Sequence, residues 1–126
     1  MILVDTSIWI AILRGELDVD QDEYEDFYTC GPVLQEVFQG IEEGELLFAI
    51  SNIPCLSDPL PSEIFRNAAG IYRQGRRRGL TIRSAMDCLI AAIALDNGAT
   101  IWHRDRDFDN IAQFTNLKLR RSPRAN

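Results

Sequence analysis

The sequence predicts an α/β sandwich built on a mainly parallel sheet. Two observations carry that prediction. Short apolar runs of strand length, led by "MILVD" and "ATIWH", alternate with longer segments of helical period. Glycine then follows the last apolar position of three of those helical segments, at Gly15, Gly79 and Gly98. Alternating strands and helices give a parallel sheet covered by its own crossover helices.

The elements follow in order. "MILVD" is a short buried strand that breaks at Asp5. "TSIWIAILRG" is a helix with Thr6 or Ser7 near its N-cap, and residues 16–26 form an acidic loop or exposed helix. In "GPVLQEVFQGI", Pro32 suits a first helical turn and Val33, Val37 and Ile41 repeat every fourth residue, so one face is buried. "ELLFAIS" leans to helix. "NIPCLS" fits a short strand, with Pro54 placing it at an edge or a strand start. "LPSEIFRNAAGIYRQGRRRG" and "SAMDCLIAAIALDNG" are the two long helices. "ATIWH" is a strand, "DFDNIA" a short helix and "LKLRR" a last edge strand. One domain over residues 1–126 is expected, with a loose tail from about residue 120.

Composition narrows the class. The 46% hydrophobic and 25% charged content is that of an ordinary globular chain. Cys30, Cys55 and Cys88 are odd in number and lack metal-type spacing, and no secretory leader or membrane-spanning run is visible. A reduced, cytoplasmic protein with no membrane partner is the expectation. The net charge of −6 conceals an acidic first half and a basic second half. The run "RQGRRRGLTIR", with Arg73, Arg76, Arg77, Arg78 and Arg83, offers a phosphate-binding surface or, equally, a solvated helix end.

Four acids form the constellation of interest. In an open parallel sheet, ligands bind where the carboxyl ends of strands meet a reversal of topology. Asp5 ends the first strand, and Asp105 lies three residues beyond Trp102, near the end of another. Glu36 sits between apolar residues of a mostly buried helix, either at the site or reaching solvent from the helix edge. Asp87 lies near the start of the most apolar helix, where the dipole alone would favour it; Ala91 and Ala94 leave that side open for a bulky group. Clustered carboxylates repel, and a cation relieves them. An all-oxygen set selects Mg2+ or Mn2+, which can hold a phosphate oxygen and activate water. Neither a serine–histidine triad nor a phosphate-binding glycine loop can be drawn, since His103 is the sole histidine.

On three segments, "ILVDTSIWI", "PVLQEVFQG" and "GLTIRSAMDCLIAAIALDNGATIWHRDRDFDNIA", and on their ordered spacing, the chain resembles a PIN-domain ribonuclease of the VapC toxin type. The resemblance covers nearly the whole chain. It implies a PIN-like fold, a central mainly parallel sheet with helices on both sides. It implies an Mg2+- or Mn2+-dependent endoribonuclease, restrained by a VapB-like antitoxin and usually homodimeric. The family's acids fall on Asp5, Glu36, Asp87 and Asp105, with Asp107 as a further direct or water-mediated ligand and Asp109 as a looser match. Thr6 and Ser7 match the hydroxyl position that supports metal-bound water or phosphate, and His103 is a packing or supporting residue. The implied substrate is single-stranded or looped RNA, bound through its backbone by the arginine cluster. Two alternatives stand beside this reading. One is a catalytically inactive PIN-like module that binds RNA or protein. The other is a phosphatase or phosphotransferase with a nucleophilic strand-end aspartate, which would need a second acid where Ser7 stands.

Overall fold

The computed structural model describes residues 1–41 and 44–122. Four strands form one sheet: β1 (Ile2–Val4), β2 (Phe27–Tyr28), β3 (Thr100–His103) and β4 (Lys118–Arg121). The order is β2-β1-β3-β4, and every pairing is parallel. Successive side chains of a strand point to opposite faces. Leu3 and Val4 of β1 are both fully buried, as are Ile101 and His103 of β3, with Trp102 2% exposed. Both faces of the sheet are therefore covered, which requires helices on both sides.

The helices are α1 (Thr6–Leu13), α2 (Gly31–Gly40), α3 (Glu45–Ser51), α4 (Ser62–Arg77), α5 (Ala85–Asn97) and α6 (Arg106–Ala112). Pro32 stands in the first turn of α2, and Val33 and Val37 point inward as their spacing predicts. In α4, Ile64, Ala68, Ile71 and Gly75 form the buried stripe. A Cβ on Gly75 would stand 2.5 Å from Ile82 Cδ1, so the bare backbone leaves room for the Ile82 side chain where the loop after α4 folds back against that helix. Gly98 ends α5 in the left-handed conformation, φ 65°, as a C-terminal glycine does. Among the described residues no helix is long and apolar enough to cross a membrane.

The chain departs from the sequence expectation in four places. The cap of α1 is Asp5, whose carboxylate accepts from Ser7 N; Thr6 already lies in the helix. The acidic stretch ends in a 3-10 turn, Gln21–Asp26, and then forms the unpredicted strand β2. Two residues are too few for a period to show in sequence. "NIPCLS" forms no strand, only an isolated parallel bridge between Thr29 and Cys55, because the chain turns at once through Ser57, φ 53°. Arg120 and Arg121 pair within β4, and Ser122 N donates to His103 O, so the tail begins later than expected. Its residues 123–126 lie outside the described part.

Sheet order positions the site. β1 and β3 are central neighbours in register, Val4 opposite Trp102, and Asp5 N donates to Trp102 O at 3.0 Å. The chain leaves β1 toward β2 on one side, whereas β3 lies on the other. The crevice between these diverging connections is where open α/β sheets bind ligands.

Candidate metal centre

Asp5 enters this crevice as the first residue past β1, and it is 3% exposed. Its Oδ2 accepts from Ser7 Oγ at 2.6 Å and from Ser7 N at 3.3 Å. Ser7 Oγ in turn accepts from Arg104 N at 3.2 Å, tying the loop after β3 to the start of α1. Across the crevice, Thr6 Oγ1 donates to Glu36 Oε1 at 3.3 Å. The two hydroxyls expected to support water or phosphate therefore hold carboxylates, one each.

Asp87 comes in from the first turn of α5 and is 4% exposed. Ala91 and Ala94 are fully buried in the core, so the side of α5 expected to stand open is filled. Small residues there allow close packing of the helix. Asp105 caps α6, its Oδ1 accepting from Asp107 N at 2.9 Å. Asp107 is 2% exposed, and its Oδ2 accepts from Arg83 N and Ser84 N, both at 3.0 Å.

These acids form two groups. Asp5, Glu36 and Asp87 each offer a carboxylate oxygen within 4.8 Å of the others, and so do Asp87, Asp105 and Asp107. Asp87 belongs to both. Its Oδ2 is buried with no hydrogen-bond partner among the described residues. An unpartnered carboxylate oxygen at the junction of two acidic groups, all donors being oxygen, suits a hard divalent cation.

Electrostatics point the same way. Burial pushes the Asp87 carboxyl up to about 9, and the charges of Asp105 and Asp5 push in the same direction. Burial also lifts Asp5 to about 6, against the Ser7 hydrogen bonds, with Glu36 adding to the rise. Glu36 is raised chiefly by burial, against Thr6, and further by Asp105. Mutual repulsion in a desolvated crevice is the physical cause, and a divalent charge reverses it.

The basic residues divide. Arg83 faces the site: Nη2 stands 3.9 Å from Asp105 Oδ1 and Nε 3.8 Å from Asp107 Oδ1, with the side chain 65% exposed. Sequence reasoning placed Arg83 with the other arginines and missed this contact; its position just before the Asp87 helix was the available signal. Arg73, Arg76, Arg77 and Arg78 are exposed on and just past α4. Arg76 donates to Tyr72 Oη, and Arg78 lies over the Phe114 ring. Arg104 pairs with Glu16 at 2.8 Å, directed away from the acids as expected of it. Asp109 lies outside both acidic groups, in the first turn of α6, where its Oδ2 stands 3.4 Å from Arg121 Nε.

Known proteins resemble this chain in sequence and fold. The PIN domain family matches residues 2–113. The VapC ribonuclease Mb1587 of Mycobacterium bovis is 39% identical over 130 residues, covering 94% of this chain and 96% of the relative. Ribonuclease VapC11 of Mycobacterium tuberculosis matches with the same identity and coverage. Among solved structures, VapBC-5 of Mycobacterium tuberculosis, a member of the VapBC family of toxin-antitoxin systems, superposes with a TM-score of 0.69 at 19% identity. That match covers 95% of this chain and 97% of the other.

Proposed function

The chain belongs to the PIN-domain family, and on that premise we propose that it is a metal-dependent endoribonuclease, the toxin of a VapBC-type pair. The observation that carries the proposal is the pair of carboxylate groups meeting at the unpartnered Asp87 Oδ2. The VapC ribonucleases at 39% identity support the same activity.

Asp5, Glu36, Asp87, Asp105 and Asp107 would hold Mg2+ or Mn2+. When bound, the cation stabilises charge on the scissile phosphate and lowers the pKa of water. The protein's residues do the rest. Ser7 and Thr6 fix the Asp5 and Glu36 carboxylates before substrate arrives, so little reorganisation is needed at the reaction. A carboxylate of the set orients the attacking water in line with the leaving oxygen, giving 5′-phosphate and 3′-hydroxyl ends. Arg83, exposed at the rim, faces an incoming phosphate. Arg73, Arg76, Arg77 and Arg78 bind the RNA backbone beyond it. Single-stranded or looped RNA is the substrate, because paired A-form RNA hides its bases. A VapB-like antitoxin restrains the enzyme, and the toxin acts in the cytoplasm as a homodimer.

The test is to express the chain and an Asp5→Asn control and to sequence the RNA ends each produces. Discrete metal-dependent cuts from the parent and none from a folded control are expected. Equal cutting by both removes the assignment.

A further inference from the structure

We propose that His103 is a positioning residue for the metal site. Its buried imidazole accepts the backbone N–H of Asp105 at Nδ1 and so fixes where the Asp105 carboxylate stands. The inference rests on Asp105 being a metal ligand, as proposed above.

Asp105 is the cap of α6, and its carboxylate already takes the Asp107 N–H. Its own N–H lies outside the helix ladder and needs another acceptor. His103 Nδ1 supplies one at 3.0 Å, from a ring with no solvent exposure. A nitrogen that accepts a hydrogen bond carries its lone pair there, so in the neutral ring the proton sits on Nε2. Nε2 has no hydrogen-bond partner within reach among the described residues, but Asp109 Oδ1 is 3.6 Å away. That carboxylate favours a proton on the facing nitrogen. It is itself steadied by Arg121 of β4. Phe108 packs edge-on to the imidazole at 5.2 Å and sets its plane. Arg121, Asp109 and His103 thus form a line from the edge strand to the backbone of Asp105. The same geometry excludes His103 as a general base, since its free lone pair is already used and water cannot reach the ring.

The test needs the full chain without metal and one isotope label. Because His103 is the only histidine, 15N NMR of labelled histidine reads this imidazole alone. A lone pair at Nδ1, accepting the Asp105 N–H, is expected; a proton on Nδ1 overturns the proposal. A Mn2+ titration by electron paramagnetic resonance then compares His103→Asn, whose amide oxygen takes the place of Nδ1, with His103→Gln, which mimics Nε2. The glutamine variant should bind Mn2+ about 10- to 100-fold more weakly, the usual cost of removing a group behind a ligand, and the asparagine variant should stay near the parent. Equal loss in both, or none in the glutamine variant, refutes positioning. Where either variant fails to fold, the tautomer decides. Asp105→Asn is the separate control: parent-like Mn2+ binding there removes the ligand reading and leaves the tautomer result standing.

Discussion

Replacing Asp87 by Asn should stabilise the metal-free protein while abolishing its response to metal. In the folded chain the Asp87 carboxyl is pushed up to about 9 from 3.8, first by burial and then by its acidic neighbours. The unfolded chain gives up this proton above about pH 3.8, and the native chain keeps it until about 9. Stability therefore falls as pH rises through that window. At pH 7 the gap of roughly three units corresponds to a penalty of roughly 4 kcal/mol from this one side chain. An amide of the same shape carries no such penalty. Thermal unfolding in EDTA at pH 7 should show the variant gaining about 2–4 kcal/mol, or roughly 10 °C in Tm. At pH 4.5 the gain should shrink to about 1 kcal/mol, because that pH lies less than one unit above the unfolded carboxyl's 3.8. Added Mg2+ should raise the Tm of the parent and leave the variant unmoved. An unchanged or lower Tm at pH 7 in EDTA, or a gain independent of pH, would refute the electrostatic reasoning.

The parent's affinity for Mg2+ should rise from pH 5 to pH 9, since the ion displaces protons from Asp5 and Asp87; calorimetry in buffers of different ionisation heat would count them. Ser7→Ala removes the shortest hydrogen bond to Asp5 and the acceptor for Arg104 N, so Mg2+ binding should weaken about tenfold. Arg83→Ala removes the cation facing Asp105 and Asp107. Mn2+ should then bind about fivefold more tightly, the size of an exposed ion pair, even as RNA cleavage slows. Gly98→Ala forces a Cβ into a left-handed helix end and should cost about 1 kcal/mol in urea unfolding, with cleavage unchanged.

The acids were legible in sequence because each breaks a local rule. Asp5 interrupts an apolar run, Glu36 and Asp87 stand on buried helices, and Asp105 follows a strand. Such exceptions mark function more often than packing. The long helices were legible through their period and their terminal glycines. What sequence concealed was contact at a distance. Arg83 reads as one more arginine until the loop before α5 folds against α6. Ser7 reads as a helix-start residue until Arg104 N reaches it. β2 is too short to carry a period, and its existence depends on β1 lying beside it. Ala91 and Ala94 could line a cleft or allow close packing, and only their neighbours decide which.

The central place of β1 in the sheet has a consequence during synthesis. β1 precedes its sheet neighbour β3 in the chain, with α1 to α5 between them. The hydrogen bond that ties the two ends of the acidic cluster together, Arg104 N to Ser7 Oγ, spans 97 positions. Contacts so distant along the chain close late. A nascent chain still on the ribosome holds Asp5, Glu36 and Asp87 without Asp105 or Asp107, so the complete cluster cannot form until β3 and α6 have emerged.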